Sequence, residues 1–309
     1  MIAQRVLAGA VALGAGVLAY ASLIERNAFG ARHESMDVLE PGARPIRVLH
    51  LSDLHLAPWQ TRKMDWIQSL LDLRPDLIVA TGDMLGHTEA IPALRSALSA
   101  FDGIPGVYVN GSNDYFGPTV PNPFSYVWKT SSYREQGEPL DRAELEDLYA
   151  EKGWVNLNNA SELLTINESR LVFAGTDDAH LGLDRLDVVA GAVESVLESE
   201  TRTLGTFLGV THAPYRRVLN FLTTLGVDAI FAGHTHGGQV CIPGIGALTT
   251  NSDLPVSLAR GLSVWNHHAR SAFLNVSAGV GTSIYAPVRF ACPPEAVLVT
   301  LRPRDFGYS

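Results

Sequence analysis

His234 and His236 stand one residue apart in FAGHTHGGQV (231–240), where an apolar run gives way to glycines. A turn of that composition lets the backbone approach another object closely. Two imidazoles at its tip can face one cation, or they can be two solvated loop histidines. Other apolar runs end in similar residues. Asp53 closes IRVLHLSD, Asp83 closes DLIVATGD, Asn113 lies in GVYVNGSND, Asp178 closes LVFAGTDD and His212 closes TFLGVTH. His55 follows Asp53 by two residues, and alternate residues of an extended chain point the same way, so both can hold one cation. Asp83 can bridge two cations through its carboxylate, and Asn113 offers a neutral amide oxygen. Imidazoles from His55, His212, His234 and His236, with oxygens from Asp53, Asp83 and Asn113, suit a pair of divalent ions such as manganese, iron or zinc rather than calcium. Two such ions about 3.5–4 Å apart generate a hydroxide at neutral pH and clamp a phosphoryl group for in-line displacement.

Such groups need elements that deliver them to one place. Short β-branched and apolar runs alternate with helical patterns near residues 62–73, 91–101, 141–151, 189–198 and 215–225. Later strands are expected at DAIFAGH, FLNVSAG and AVLVTL. In open α/β sheets ligands bind outside the carboxyl ends of the strands, where these polar residues fall.

The N-terminus differs from the rest. After Arg5 come nineteen uncharged residues, Val6 to Ile24, closed by Glu25 and Arg26. At about 1.5 Å per residue that run crosses a hydrocarbon core of roughly 30 Å. Ala19-Tyr20-Ala21 resembles a signal-peptidase site, but the apolar run exceeds the usual signal-peptide core of about 7–15 residues, which favours a retained single-pass anchor in the cell membrane. Basic residues flank both ends, so charge does not set the side of the membrane. The expected organisation is an anchor over 1–26, a linker over 27–45 and one catalytic domain over 46–303. With 309 residues, 46% of them hydrophobic, the chain can bury a large core. A net charge of −9 and the lack of a Lys/Arg run exclude a nucleic-acid-binding surface. Cys241 and Cys292 lack zinc-type spacing and read as core residues, with one disulfide open to them.

The order D-x-H, G-D, an N-D loop, an isolated T-H and then G-H-x-H-G-G resembles the calcineurin-like metallophosphoesterases. AGTDDAH, AGHTHGGQVCIP and VSAGVGTSIYAPVRFACPPE resemble their bacterial membrane-associated branch, which includes lipid-linked phosphodiesterases and pyrophosphatases. The resemblance implies a four-layer αββα sandwich and a hydrolase acting on a phosphoester, phosphodiester or pyrophosphate bond. It implies that His236 shares one metal with Asp53 and His55. His234 and His212 would take the second with Asn113, and Asp83 would bridge both. The implied partners are a phosphorylated small molecule or lipid-linked substrate and the membrane.

One departure stands out. The family commonly reads G-N-H-D at its third motif, and this chain reads Gly111-Ser112-Asn113-Asp114. Counted from Gly106, Asn113 takes the family's Asn position and Asp114 its His position, which makes Asp114 a candidate catalytic residue. Counted back from the acid, Ser112 and Asn113 take them instead. Amide oxygen is the better ligand, which favours the first register. Either way the usual histidine is absent, and a metal-dependent membrane scaffold without strong turnover is the alternative reading. His180 is a candidate to assist the leaving group, and Arg289 to contact substrate phosphate. Asp177 and Asp178 are expected to brace a turn, while His87, His267 and His268 read as surface residues. The aromatic-rich stretch 116–141, with Tyr126 and Trp128, is a candidate rim for the apolar part of a substrate.

Overall fold

The computed structural model describes residues 2–119, 137–199 and 205–305, and it begins with the uncharged run. Helix α1 (Ile2–Ala19) continues through a π turn (Tyr20–Ile24) and a 3-10 turn (Glu25–Asn27). Its Gly9–Asn27 portion is long and apolar enough to cross a membrane, and only 11% of it is buried within the protein. Leu7, Val11, Leu13 and Leu18 are exposed, as befits a helix with no polar face to turn outward. The far end of the helix is docked. Arg289 donates its backbone N–H to the Ala21 carbonyl, Cys292 donates to the buried Glu25 carboxylate at 2.7 Å, and Tyr20 meets Phe290 edge-on.

The stretch expected to be a linker is largely a strand. β1 (Gly30–Leu39) pairs in parallel with the last strand along most of its length. Met36, Val38 and Leu39 are buried at its far end, while its polar start suits an edge strand with one partner. Arg32 anchors that start, with Nε on Glu295 at 3.1 Å and Nη2 on the Asn275 amide oxygen at 3.2 Å.

β2 (Ile46–Leu51), β3 (Leu77–Ala80), β4 (Gly106–Tyr108) and β5 (Trp154–Asn156) lie parallel in the same sheet. The second sheet is built from β6 (Ala160–Ile166), β7 (Ser169–Gly175), β8 (Thr206–Val210) and β9 (Ala229–Ala232), followed by a short hairpin of β10 (Cys241–Ile242) and β11 (Gly246–Ala247) outside it. β12 (Gly261–His267) and β13 (Arg270–Val276) complete it in the order β12-β13-β9-β8-β7-β6. β14 (Glu295–Pro303) returns to the first sheet, whose order is β1-β14-β2-β3-β4-β5.

Alternation along the strands makes the layers. Val48, Val79 and Val107 meet Phe173, Val210 and Phe231 in the core between the sheets. Leu49, Leu51 and Ile78 face the opposite way, onto helices α2 (Thr61–Ser69) and α3 (Ile91–Leu98). Past the short helix α4 (Ser112–Tyr115), α5 (Arg142–Glu151) adds Leu145 and Leu148 to that outer core. On the other side, Ile230 and Leu274 pack against α6 (Leu186–Glu198) and α7 (Arg216–Leu225). The result is the expected αββα sandwich. Both sheets present the carboxyl ends of their parallel strands at one edge, where the candidate residues collect.

Candidate active site

The turns after β2, β3 and β9 require unusual backbone. Asp53 (φ 49°), His55 (40°), Asp83 (55°), His234 (67°) and His236 (50°) all lie in the left-handed region. Such residues cost roughly 1–3 kcal/mol each and persist only where their surroundings over-determine them. Here neighbouring loops supply the bonds. Asp53 and His55 donate backbone N–H to the carbonyls of Gly82 and Asp83 at 2.9 and 3.0 Å, and Gly233 donates to His212 at 2.9 Å. Two glycines make the approach possible. A Cβ on Gly111 would sit 2.4 Å from Asp83 Oδ1, and one on Gly233 would sit 2.5 Å from Asp53 Oδ2.

The loops bring two sets of donor atoms together. Asp53, His55 and His236 form one set and Asp53, Asp83 and His212 another, with the atoms of each within 4.8 Å of one another. Asp83 straddles them, with Oδ2 3.4 Å from His55 Nε2 and Oδ1 3.5 Å from His212 Nε2. Asp53 Oδ1 lies 3.6 Å from His236 Nε2. His234 joins the second set through Nδ1, 3.2 Å from His212 Nε2, while its Nε2 lies 3.1 Å from the Asn251 carbonyl. Asn113 completes the ring, giving Asp83 its backbone N–H at 2.8 Å and Nδ2 at 2.7 Å. A half-turn of that amide brings Oδ1 to the same place.

These residues fit divalent cations. Asp53 Oδ1 and both ring nitrogens of His55 are buried without a hydrogen-bond partner. An unsatisfied buried polar group costs roughly 1–3 kcal/mol, so lone pairs left free in this way mark a place for a ligand. The mixed nitrogen and oxygen set suits manganese, iron or zinc.

The electrostatics point the same way. Burial holds His55 down to about 4, and it holds His234 and His236 well below the ordinary imidazole value. These three rings are neutral at pH 7 and present lone pairs. Burial also opposes charge on His212, but the carboxylates of Asp83, Asp53 and Asp178 outweigh it and raise the ring to about 9. Burial likewise opposes charge on Asp83, yet His212 and His55 pull it below the usual carboxylate range. Asp53 is pushed up to about 6, chiefly by burial.

A one-way chain of hydrogen bonds supports Asp53 from behind. Asn275 Nδ2 donates to His50 Nδ1 (2.9 Å), which leaves His50 Nε2 to donate to Thr81 Oγ1 (2.8 Å). Thr81 then donates to Ser52 (2.7 Å) and Ser52 to Asp53 Oδ2 (2.5 Å). The chain begins at Arg32 on β1, so the edge strand reaches the site through side chains. Sequence reasoning missed it, because His50 and Thr81 sit inside apolar runs with nothing local to mark them. It missed Asn251 as well, which lies in an irregular segment distant in sequence from His234.

Other expected residues take different places. Asp114 is buried, and its two oxygens accept backbone N–H from Asp83, Met84, Leu85 and Gly111 at 2.8–3.2 Å. It ties the Asp83 loop to α4 and has no oxygen left for a substrate, so the catalytic expectation is corrected to a bracing one. Arg289 is corrected too: it is fully buried. Its guanidinium donates to the carbonyls of His236, Ala278, Gly279, Gly281 and Cys292 and lies 3.3 Å from His236 Nδ1. It holds the His236 loop from beneath and cannot touch substrate phosphate. His180 does lie at the site, with its ring 4.6 Å from that of His234 and Nδ1 3.0 Å from Tyr215 Oη. Asp178 accepts the His180 backbone N–H at 2.8 Å, and Asp177 accepts the Tyr115 hydroxyl at 2.6 Å, as expected of bracing residues. Cys241 and Cys292 are free and buried. Tyr126 and Trp128 lie outside the described residues.

The chain is similar to known proteins. Residues 46–238 match the family described as calcineurin-like phosphoesterase. An uncharacterized metallophosphoesterase of Aquifex aeolicus is 26% identical over 266 residues, covering 85% of this chain and 87% of its own. The uncharacterized metallophosphoesterase YkuE of Bacillus subtilis is 24% identical over 307 residues, covering 96% and 93%. A bovine transmembrane protein with a metallophosphoesterase domain is 24% identical over 208 residues, which are 65% of this chain and 43% of that protein.

Proposed function

The chain belongs to the calcineurin-like phosphoesterases and is a metal-dependent phosphoester hydrolase; from that premise we propose a two-cation site and a membrane-borne substrate. In this reading Asp53, His55 and His236 would hold one divalent cation, His212, His234 and Asn113 the other, and Asp83 would serve both. The observation that carries it is the set of buried, unpartnered lone pairs on Asp53 and His55. Bound there, the cations would lower the pKa of a water molecule toward neutrality and polarise the phosphoryl oxygens.

The protein's own groups do the rest. Neutral His55, His234 and His236 offer lone pairs without first losing protons. The chain from Arg32 to Ser52 orients Asp53, and Arg289 fixes the His236 loop. Without the family's usual motif histidine, His180 is the group we assign to protonate the leaving oxygen. Its place beside His234 and its contact with Tyr215 support that role. The apolar N-terminal helix and the transmembrane description of the bovine relative support a single-pass membrane enzyme acting on a lipid-linked phosphodiester or pyrophosphate.

The test is hydrolysis by the full chain in detergent, with manganese, iron or zinc, of an aryl phosphomonoester, an aryl phosphodiester and a lipid pyrophosphate. Asp83→Asn and His234→Ala should abolish turnover while leaving the far-ultraviolet circular dichroism unchanged. Near-wild-type turnover of either variant at saturating metal would refute the two-cation site.

A further inference from the structure

A cavity of about 430 Å³ opens where the N-terminal helix meets the catalytic loops, and it is lined by positive charge. Arg26 comes from the end of the helix, and Arg62 and Lys63 from the first turn of α2. Among the described residues, none of the three forms an ion pair. Arg26 Nε is buried without a hydrogen-bond partner, which is costly for a charged group unless something anionic arrives. α2 enters the cavity with no side chain capping its N-terminus, so its first N–H groups and dipole also favour an anion. Hydroxyls of Thr61, Thr282 and Ser283 complete the lining.

The cavity backs onto the site. Lys63 is only 7% exposed, and its ammonium donates to the Leu54 and His55 carbonyls at 2.8 and 3.4 Å. Gly281, also in the lining, donates its N–H to the Asp53 carbonyl at 2.6 Å. Both lining residues therefore rest on the loop that carries Asp53 and His55. The depth is equally defined, because Arg26 and Asn27 close the segment able to cross a membrane. That end of the helix is held to the domain through Ala21 and Glu25, so the cavity stays at headgroup level when the helix is inserted. Trp59, 61% exposed at the rim, is a residue favoured at that interface.

We propose that this cavity is a phosphate-binding subsite that takes the headgroup phosphate of a lipid, or the same group in free form, beside the metal loop. Two guanidinium groups, hydroxyls and helix N–H groups match the several oxygens of a phosphate better than the two of a carboxylate, while Lys63, turned to the Leu54 and His55 carbonyls, ties the cavity to the metal loop. The subsite names the substrate class for the hydrolase reading, a lipid carrying a second phosphate beside the scissile one, and it rests on that reading in this step alone. Binding itself needs no turnover.

Calorimetric titration of the full chain in nonionic micelles tests it, with short-chain phosphatidylglycerol in one arm and inorganic phosphate in the other. Losing one charge-assisted contact should weaken binding roughly tenfold in Arg62→Gln, and Arg62→Lys should stay within about threefold of wild type. Arg62 is exposed, so neither change threatens folding. Loss confined to the lipid arm assigns the subsite to headgroups. Equal loss in both arms assigns it to phosphate of either source. Wild-type affinity in the double variant Arg26→Gln/Arg62→Gln, for both probes, overturns the proposal. Lipid binding that depends on Arg62 in a protein that never hydrolyses any ester would strike the hydrolase reading and leave the subsite standing.

Discussion

Replacing Gly111 by alanine isolates the geometry of the site from backbone effects. Gly111 has φ −110° and ψ 176°, extended backbone that alanine adopts without strain. The added methyl would lie 2.4 Å from Asp83 Oδ1 and 2.7 Å from His212 Nε2, about 1 Å inside the 3.4 Å where ordinary contact begins. Neither neighbour can retreat freely. Asp83 is held by two bonds from Asn113, and His212 Nδ1 lies 2.6 Å from the Thr81 carbonyl. Overpacking costs about 1–3 kcal/mol and one broken hydrogen bond about 1 more, so the expected penalty is roughly 2–4 kcal/mol. Carried by the cation site, that is about 30-fold to nearly 1,000-fold in metal affinity. Metal titration by calorimetry, with thermal unfolding of the chelated protein beside it, reads the two shares separately. Gly191→Ala on α6 is the control, since its Cβ would meet nothing within 4 Å, and it should be neutral or gain up to about 1 kcal/mol of stability. Wild-type metal affinity in Gly111→Ala would refute the claim that Asp83 and His212 meet over this glycine to hold a cation.

The remaining expectations concern single groups. Asn113→Ala should lower the affinity of the second cation at least tenfold while Ser112→Ala changes it less than about threefold; the reverse order in a metal titration would favour the other register. Ser52→Ala removes the 2.5 Å bond to Asp53 and strands the Thr81 hydroxyl, which should cost about 1–3 kcal/mol in denaturant unfolding and loosen the first cation. A cost below about 0.5 kcal/mol would remove the chain from the argument. His212, raised to about 9, must lose its proton when metal binds, so metal affinity should climb up to about tenfold per pH unit from 6.5 to 9. The sign for the chelated protein is opposite: the raised value lends stability that is complete below about 6.5 and lost as pH rises through 9. Titration in buffers of different ionisation enthalpy counts the proton released, and zero release at pH 7.5 would contradict it.

The residues able to bind a metal were legible in the sequence because their types are few and they fall at the ends of apolar runs. The alternation of strands and helical patterns marked an α/β chain, and the family resemblance implied its αββα layering. What stayed hidden depends on partners far along the chain. β1 reads as a linker because its first half is polar, and only Arg32 reaching Glu295 and Asn275 turns that polarity into an edge-strand anchor. β6 and β12 carry few fully buried residues, so their alternation is too weak to mark them. Arg289 and Asp114 share a further lesson. Each is a charged residue within or beside a metal-site motif, where the sequence invites a role in chemistry. Asp114 spends both oxygens, and Arg289 its two terminal nitrogens, chiefly on the backbone of the loops that carry the candidate ligands.

That division of labour has a physical reason. Asp53, His55, Asp83, His234 and His236 all adopt left-handed backbone, a conformation that Asp and His tolerate only when something else makes the alternative worse. Five such residues at roughly 1–3 kcal/mol each would unwind loops held by ordinary turns. Asp114 gathers four N–H groups from the loops around Asp83, and Arg289 gathers five carbonyls around His236. Buried and charge-assisted, these bonds are the strong kind, and each bracing residue serves several strained positions at once. The cost of aiming lone pairs at one point is therefore met beneath the site by residues that never touch the substrate. The N-terminal helix docks on the backbone of Arg289 itself, through Ala21, so the brace under His236 is also the joint between helix and site.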